Sequence, residues 1–408
     1  MQRTAGQLRF SPSDLGDFVA CEHLTQLELA VVLREDTRPS GENAFAALLQ
    51  RKGEAHERAY LESLRESGHA VIEVGLGETR DWEAAARATE EAMRAGAQYI
   101  YQAVLVDGGW RGIADFLERI DRPSSLGAWS YQVLDTKLAR HPRPEHALQL
   151  CFYSQALGAV QGLEPEAAYV VLGTRERFRI RLADVSAYYR RVRRRFESAA
   201  ANRPHTAPYP CEHCEVCIFQ DACEDRWERE DHLLRVASIR RDQIGKLAAG
   251  GITSLTALAG ARPGTAIPRL AQQTFEGLRE QAALQHESRR SGKVEYRERP
   301  LETGRGFAML PPRSPGDIIL DLEGNPFFEP GRGLEYLFGV LTLDGAQPRY
   351  QAFWAHDREG ERRALEALVD FIHQRLARYP DLHVYHYGAY EPTALKQLMG
   401  ITLVQIRC

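Results

Sequence analysis

The chain has 408 residues, against roughly 150 for an average domain, so two or three domains are expected. Hydrophobic residues make up 44% and charged residues 26%, which supports packed cores and excludes a wholly disordered chain. The net charge of −4 excludes a strongly basic chain, so any nucleic acid must bind to local patches. No apolar run approaches the roughly 20 residues of a membrane helix, and the N-terminus carries no apolar leader. These features predict a cytoplasmic protein without a membrane partner.

The apolar spacing predicts helices over residues 11–34, 43–67 and 81–95. The pattern then alternates and predicts strands over residues 99–106, 110–119 and 130–138. Further along the chain we expect helices over 144–160, 182–200 and 274–284, short helices within 228–260, and strands near 169–172 and 176–181. Strand signals return at 317–321, 334–343, 349–354 and 382–387, with a helix over 359–378. Strands mixed with helices in this way predict the α/β fold class.

The first group of chemically suggestive residues lies on two neighbouring predicted strands. Asp135 and Lys137 are two apart in the segment YQVLDTK, so their side chains should share one face of the strand. Asp115 lies on the preceding strand and offers a second carboxylate. Carboxylates bind hard cations, and an ammonium group can orient a water or neutralise phosphate charge. By itself the pair also fits an exposed strand with a surface ion pair.

Residues on two predicted helices extend this pattern. Gln149 and Tyr153 are four apart on one helix and should therefore share a face, and Gly53 and His56 lie on a helix upstream. The order G-x-x-H, strand Asp, D-x-K and Q-x-x-x-Y resembles the RecB-like branch of the PD-(D/E)XK nuclease superfamily. The resemblance covers residues 1 to about 225 and implies a restriction-endonuclease-like α/β core with flanking helices.

The resemblance implies a cation site and a set of catalytic side chains. The implied ligands of Mg²⁺ or Mn²⁺ are His56, Asp115 and Asp135, with the carbonyl of Thr136 also touching the metal. The implied catalytic residues are Asp115, Asp135, Lys137, Gln149 and Tyr153. Among these, Lys137 would help to activate water, whereas Gln149 and Tyr153 would contact DNA and brace the site.

Cysteine spacing indicates a second metal site. The seven cysteines are Cys21, Cys151, Cys211, Cys214, Cys217, Cys223 and Cys408. Four of them follow the spacing C-x₂-C-x₂-C-x₅-C from residue 211, which suits a single metal or cluster in a reducing compartment. The spacing fits a paired zinc ribbon poorly, and it leaves zinc and an iron–sulfur cluster both open. Cys151 is expected to be a buried small apolar residue.

The family resemblance favours iron–sulfur over zinc. A subset of RecB-like nucleases carries a [4Fe–4S] cluster with one ligand before the nuclease core and three after it. Cys214, Cys217 and Cys223 resemble the trio, and Cys21 resembles the upstream ligand. Cys211 is an alternative fourth ligand in place of Cys21, and Zn²⁺ is the alternative metal.

Two further segments suggest contacts with a phosphate backbone. The arginines of residues 190–195 lie on one predicted helix, which is either a solvated face or a DNA-binding one. Residues 244–259 resemble a helix–hairpin–helix, whose turn amides can face a phosphate, although a plain helical connector fits as well.

The C-terminal region contains a second acidic pattern. Asp321 and Glu323 end a buried predicted strand, and Glu391 follows a later one. This arrangement resembles the start of an RNase H-like exonuclease of the DEDD type, with Glu391 at a position that normally carries Asp. The remaining motif would lie beyond Cys408, so we expect an incomplete, inactive domain from a truncated gene product whose folding is itself in question. Long relatives of this architecture continue into a helicase.

Together these features predict three domains and a nuclease. The expected boundaries are 1–227 for the nuclease domain with its cysteines, 228–315 for a helix–hairpin–helix-like module and linker, and 316–408 for a partial RNase H-like domain. The expected function is metal-dependent hydrolysis of DNA in repair, at single strands or ends, by an exonuclease rather than an endonuclease, with a helicase acting in trans. The alternative is an inactive nucleic-acid-binding module with a structural metal. A weaker alternative places catalysis at Asp321.

Overall fold

The chain divides into two compact units, which are described separately. The computed structural model describes residues 1–402 apart from residues 5, 41, 42, 79, 330 and 346, so Cys408 lies outside the described residues. The first unit comprises Met1–Leu172 and Glu176–Glu298, and the second comprises Gly173–Arg175 and Arg299–Cys408. The helices between residues 228 and 298 lie within the first unit, and the boundary of a module at 228–315 stays a prediction. No helix among the described residues is long and apolar enough to cross a membrane.

The first unit has eight strands and ten α-helices among its described residues. In chain order they are β1 (Gln2–Thr4), β2 (Gln7–Arg9), α1 (Pro12–Ala20), α2 (Glu22–Val32), α3 (Ala44–Glu66), β3 (Val71–Glu73), α4 (Trp82–Arg94), β4 (Tyr99–Asp107), β5 (Trp110–Ile120), β6 (Ser130–Thr136), α5 (Pro144–Gln161), β7 (Ala167–Val171), β8 (Arg177–Arg181), α6 (Leu182–Asn202), α7 (Gln220–Arg229), α8 (Arg241–Ala249), α9 (Leu255–Ala259) and α10 (Gln272–Ser291). The predicted strands and most predicted helices are thus confirmed to within a few residues.

Six of these strands form one mixed sheet in the order β3-β4-β5-β6-β7-β8. The strands β4, β5 and β6 pair antiparallel, whereas β6 and β7 pair parallel because α5 carries the chain from one to the other. The remaining strands, β1 and β2, form a separate two-stranded sheet.

Two apolar clusters cover the sheet. The larger cluster joins α1, α4, α5 and α6 to the sheet and includes Leu15, Met93, Phe152 and Phe196. The smaller one packs Leu61 and Leu64 of α3 on Phe116 and Leu134. Cys151 is buried within the larger cluster, as expected. A third cluster, formed by residues of α8, α9 and α10 with Leu233 and Val236, stabilises the helices that follow α7.

The predicted helix over residues 11–34 was wrong in one respect, because it is two helices that meet at Cys21. The backbone of Cys21 is extended, with φ −154° and ψ 102°, and its N–H bonds the carbonyl of Asp17 to close α1. The helical apolar spacing continues through this break, so the pattern alone could not reveal it.

The second unit contains four strands and two α-helices among its described residues. They are β9 (Ile318–Glu329), β10 (Arg332–Thr342), β11 (Arg349–Trp354), α11 (Arg358–Arg378), β12 (Val384–Tyr385) and α12 (Tyr390–Thr402). The sheet order is β11-β10-β9-β12, and both helices pack on a core that includes Ile318, Phe338 and Leu365. The residues from 318 to 402 therefore have a core of their own, although we had questioned their folding from the sequence.

A half-buried ion-pair network joins four strands of the first unit's sheet, β4, β5, β6 and β8. Both carboxylate oxygens of Glu118 accept hydrogen bonds from the Arg177 guanidinium, at 3.1 and 2.6 Å. Tyr99 and Gln132 also donate to Glu118, at 2.6 and 2.7 Å, and Arg177 lies over the ring of Tyr169. Burial alone would raise the pKa of Glu118, but these hydrogen bonds outweigh it and the pKa is lowered.

We expect Arg177→Ala to lower the free energy of unfolding by about 2 kcal/mol, because it leaves the half-enclosed charge of Glu118 short of its strongest partner. Denaturant titration would measure the change. Arg179→Ala, on the same strand and exposed, is the matched control and should change stability by less than about 0.5 kcal/mol. Equal changes in the free energy of unfolding for the two variants would show that the hydrogen bonds around Glu118 do not contribute to stability.

Candidate active site

Asp115 on β5 is held by the neighbouring strand β6. One of its carboxylate oxygens, Oδ2, accepts both the backbone N–H and the hydroxyl of Thr136, each at 2.7 Å. These two bonds fix the orientation of the carboxylate. Oδ1 has no such bond to Thr136 and can face a ligand.

Asp135 and Lys137 lie on the same side of β6, as their spacing predicted. Lys137 Nζ forms an ion pair with Asp135 Oδ2, and Asp135 is 3% exposed. The strand pairing continues past the end of β6, because the N–H of Lys137 donates to the carbonyl of Val171 at 2.9 Å. The alternative of an exposed strand with a surface ion pair is therefore wrong.

The charges of this group act strongly on one another. Burial, together with repulsion from Asp135, raises the pKa of Asp115 from 3.8 to about 6. Burial by itself lowers the pKa of Lys137, but attraction to Asp135 and Asp115 outweighs it and the pKa is raised. The group therefore favours an added positive charge.

His56 on α3 lies beside this group but bonds the backbone. Its Nε2 is 3.3 Å from the carbonyl oxygen of Val171, the same oxygen that accepts the N–H of Lys137. Because a carbonyl oxygen only accepts, Nε2 carries the proton in this contact. This bond joins α3 to the segment that positions Lys137.

Gln149 and Tyr153 lie on one side of α5, but their environments differ. Tyr153 is 6% exposed, and its hydroxyl donates to the carbonyl of Ile113 at 2.7 Å. A Cβ on Gly112 would lie 2.8 Å from the Tyr153 ring, so this strand position requires glycine. Tyr153 thus braces β5 two residues from Asp115, whereas Gln149 is half-buried on the same helix.

Sequence analysis missed a third carboxylate in this group. Glu57, next to His56 on α3, accepts hydrogen bonds from Tyr101 and from Gln102 Nε2 on β4. Burial, followed by repulsion from Asp115, raises the pKa of Glu57, and its charge also acts on Lys137. Acidic residues are common on helices, so nothing in the local sequence marks Glu57.

His146 was also missed, although helical spacing could have found it. It lies three residues before Gln149 on α5 and is 6% exposed. Its Nδ1 accepts the N–H of Arg143 at 3.2 Å, which places the ring proton on Nε2. Burial, with the charge of Lys137, lowers the pKa of His146 to about 4, so the ring is neutral at neutral pH.

The residues present fit a divalent cation. Glu57, Asp115 and Asp135 together carry three negative charges when ionised, against the single positive charge of Lys137. Repulsion within such a group is relieved when a cation binds, and carboxylate oxygens are the ligands that Mg²⁺ and Mn²⁺ prefer.

The structure also brings together the cysteines from the two ends of the nuclease-like region. Cys21 lies close enough to Cys217 and Cys223 to act on the pKa of both thiols, as does Cys214. Burial raises the pKa of the Cys223 thiol to about 11. Such thiols are neutral at pH 7 and would release protons on binding a metal.

Cys211 lies at the edge of this group. Its sulfur is 3.9 Å from that of Cys214, and its N–H donates to the Cys214 sulfur at 3.4 Å. Its charge acts on Cys217 but is not among the main influences on Cys223, whereas Cys21 affects both. The assignment of Cys21 or Cys211 as the fourth ligand stays a prediction.

A separate acidic group lies on α1 and α2. The ligand atoms of Asp14, Asp17 and Glu28 lie within 4.8 Å of one another, and within the described ranges no other triad of Cys, His, Asp or Glu is as compact. Asp14 is already bonded by the Met1 ammonium and by the N–H of Ser11, each at 2.8 Å. Among the described residues, no three cysteine sulfurs therefore lie within 4.8 Å of one another.

Three acids of the second unit lie around Tyr390. Asp321 and Glu323 lie on the exposed side of β9, and Glu391, in the first turn of α12, is 4% exposed. Tyr390 donates to Glu335 on β10 at 2.9 Å, and the charges of Glu335, Glu323 and Glu391 all act on this tyrosine. Glu335 is a further acid of this site that the sequence pattern did not indicate.

The two segments suggested to bind phosphate differ in how many of their donor groups already have partners within the chain. Of the α6 arginines, Arg193 is engaged by Asp107 and Glu197, whereas Arg190, Arg191 and Arg194 are exposed. At the start of α9, the amide of Leu255 donates to the backbone carbonyl of Asp231 and the amide of Thr256 donates to the Asp231 carboxylate, each at 2.8 Å. Both amides are thus already engaged by oxygens of the chain.

Comparison with protein families agrees with this arrangement. The sequence model of the PD-(D/E)XK nuclease superfamily matches residues 9–224, more than half of the chain. The chain belongs to the PD-(D/E)XK nuclease superfamily. The model of the RNase H superfamily matches residues 318–407. The comparison with curated proteins finds no match.

Both family resemblances drawn from the motifs are thus confirmed at the level of superfamily. The chain combines a PD-(D/E)XK nuclease domain with an RNase H-like domain in a mixed α/β architecture. Both superfamilies are nuclease families that typically use Mg²⁺ or Mn²⁺, which agrees with the carboxylates of the first unit.

The raised pKa of Asp115 predicts how the stability of the metal-free protein depends on pH. Between the unfolded value of 3.8 and the folded value of about 6, the folded state binds more protons, so stability falls as pH rises. Asp115→Asn removes this charge and keeps an oxygen for Thr136. In EDTA, we expect the variant to gain stability relative to wild type as pH rises from about 4 to about 6, and then to level off.

Denaturant unfolding at a series of pH values would measure this difference. The exposed Asp121 provides the control, because Asp121→Asn should show no comparable trend. A stability difference between wild type and Asp115→Asn that stays constant over the range would contradict the charge repulsion described here.

Proposed function

We propose that the chain is a metal-dependent nuclease that hydrolyses phosphodiester bonds in DNA at the group formed by Asp115, Asp135 and Lys137. The observation that carries the proposal is the ion pair between Lys137 and Asp135 beside the Asp115 carboxylate, in a chain of the PD-(D/E)XK superfamily. A structural ion pair would not need a second, repelling carboxylate beside it.

Each side chain then has a defined part in the reaction. Asp115 and Asp135, with His56 of α3, hold Mg²⁺ or Mn²⁺, and the two bonds from Thr136 keep Asp115 oriented. When bound there, the cation lowers the pKa of a water and neutralises charge on the scissile phosphate. Lys137, held by Asp135, orients the attacking water, and Tyr153 keeps β5 in place.

The preferred substrate follows from the RecB-like resemblance. We propose single strands or ends of DNA, cut in an exonuclease mode during DNA repair, with a helicase acting in trans to provide such strands. The exposed arginines of α6 supply local positive charge that can contact phosphates, although the chain as a whole has a net charge of −4.

We also propose that Cys21, Cys214, Cys217 and Cys223 hold a [4Fe–4S] cluster that stabilises the first unit. The charges of Cys21 and Cys214 act on the thiols of both Cys217 and Cys223, which supports one shared centre. The cluster would connect the α1–α2 break to α7 and so restrict the unfolded chain over about two hundred residues.

The cleavage proposal predicts the behaviour of two variants. We expect Asp135→Asn and Lys137→Met to lower Mn²⁺-dependent cleavage of end-labelled single-stranded DNA by at least about a hundredfold. Anaerobically purified protein should be used, and circular dichroism should show that both variants are folded. Asp321→Asn, in the second unit, is the control and should retain activity.

Two results would contradict the proposal. Cleavage that survives in Lys137→Met but disappears in Asp321→Asn would move the active site to the second unit. DNA binding without cleavage by folded, metal-loaded wild type would favour the inactive binding module.

The cluster proposal predicts a brown protein that contains iron and acid-labile sulfide. Cys223→Ser should lose the visible absorbance and most of the iron, and its midpoint of thermal unfolding should fall. Cys151→Ala, which lies in the apolar core away from these cysteines, should retain the iron. Comparing Cys21→Ser with Cys211→Ser identifies the fourth ligand, and we expect the former to lose iron. A colourless wild-type protein that contains zinc would contradict the cluster.

A further inference from the structure

The segment that connects Lys137 to α5 carries exposed positive charge. Arg140 and Arg143 are both exposed, and α5 begins immediately afterwards at Pro144. Within the part of the chain that the structure describes, Arg140 has no ion-pair partner, and Arg143 Nη1 is 3.8 Å from the exposed Glu145 carboxylate. A surface pair of this kind contributes little to stability. Both guanidinium groups are therefore open to an anion.

Two prolines hold this segment in an extended conformation. A residue that precedes proline is restricted to extended backbone, and Pro142 and Pro144 impose this restriction on His141 and Arg143. Arg143 accordingly has φ −121° and ψ 154°. The positive side chains therefore project from a backbone that loses little conformational freedom when a ligand binds.

His146, in the first turn of α5, is a buried side chain with an unused donor. The residue is 6% exposed, its Nδ1 accepts the N–H of Arg143 at 3.2 Å, and its own backbone N–H donates to the Arg143 carbonyl at 3.1 Å. These bonds fix the ring and place its proton on Nε2. Within the described ranges the Nε2–H has no hydrogen-bond partner, and this nitrogen is not sealed from solvent. A buried donor without a partner costs free energy unless water or a ligand accepts from it.

This donor lies beside the proposed active site. The charge of Lys137 lowers the pKa of the His146 ring, so the two side chains are close to each other. At the same end of α5, Pro144 has no N–H, and the N–H of Glu145 has no partner among the described residues. The start of a helix also carries partial positive charge. A fixed side-chain donor, a free amide and the positive end of a helix thus converge, which is a combination that binds phosphate.

We propose that the start of α5 binds a backbone phosphate of the DNA strand, next to the phosphate that is hydrolysed. The Nε2–H of His146 and the N–H of Glu145 are the donors, and Arg140 and Arg143 supply the neutralising charge. The inference rests on the proposed function, because it takes Lys137 as marking the position of the scissile phosphate. Such contacts position the strand without reading its bases, so binding here is independent of sequence.

Affinity of the full chain for a fluorescent single-stranded oligonucleotide, measured by anisotropy in EDTA at several salt concentrations, tests the proposal. We expect His146→Asn to weaken binding by about tenfold, because the shorter amide keeps an oxygen for the N–H of Arg143 but loses the Nε2 donor. This loss should be the same at every salt concentration, because no charge is removed. Arg140→Ala should also weaken binding, and it should reduce the slope of log affinity against log salt concentration by about 0.7, since one phosphate contact is lost.

Three further variants serve as controls. His146→Gln, whose longer amide can both accept from Arg143 and place an N–H near the position of Nε2, should bind within about threefold of wild type. Arg87→Ala removes an exposed arginine of α4 and should leave the salt slope unchanged. Thermal unfolding shows whether each variant is folded. If His146→Asn does not fold, Arg140→Ala compared with Arg140→Lys, at an exposed position, decides the question, because only the former should lose the charge contact.

The outcomes distinguish the inference from the function beneath it. If wild type cleaves DNA, and His146→Asn and Arg140→Ala bind and cleave as wild type does, the phosphate site is wrong while the nuclease proposal stands. If wild type binds DNA without cleaving it and both variants bind more weakly, the phosphate site stands and the nuclease proposal is wrong. Equal losses in Arg87→Ala and Arg140→Ala would show that binding follows overall charge, which contradicts the site. Wild type that binds no single-stranded DNA overturns both.

Discussion

Unbalanced negative charge in the middle of β5 and at the end of β6 is the constraint on which the first unit's arrangement depends. Asp115 and Asp135 are drawn together by the pairing of their strands, and Lys137 neutralises only one of them. Carboxylates this close repel each other, and burial makes that repulsion strong. The contacts around them serve to hold this unfavourable group in place, as when Thr136 donates two bonds to Asp115.

The helices α3 and α5 also hold the backbone near these carboxylates in place. Tyr153 of α5 bonds the backbone of β5, and His56 of α3 bonds the carbonyl that also receives the N–H of Lys137. Neither contact involves the carboxylates themselves. Both fix the backbone that supports them, which is how a charged group can be kept ready for a cation without relaxing away from it.

The cysteines concern a different property, the stability of a unit whose neighbouring segments are distant in the sequence. Cys21 lies where α1 ends and α2 begins, and its extended backbone separates the two helices. The other three cysteines of the proposed cluster lie after α6, about two hundred residues later. A shared metal centre would restrict the unfolded chain much as a disulfide does, and in a reducing compartment it could persist where a disulfide could not.

Local patterns predicted the elements well, because strand alternation and helical spacing are properties of a few consecutive residues. The strands carrying Asp115 and Asp135 and the i, i+4 pair on α5 were therefore found from sequence. The break at Cys21 was not, since the helical apolar spacing continues through it, and the left-handed backbone of Gln102 was not, since its partner Glu57 is distant in the sequence. Glu335 was missed for the same reason, because only the pairing of β10 with β9 brings it near Glu323.

The adjacent residues His56 and Glu57 show where such prediction ends. Consecutive helix positions differ by about 100° around the axis, so either side chain could face the carboxylates once α3 is known to pass beside them. Which one does so depends on the rotation of α3, and that rotation is set by Leu61 and Leu64, which pack on the sheet one and two turns later. The rotation also brings Glu57 within reach of Gln102, on a strand that the helix meets only in the folded protein. The placement of α3 beside the carboxylates thus depends on apolar contacts outside the site, and a motif that names the histidine contains no information about them.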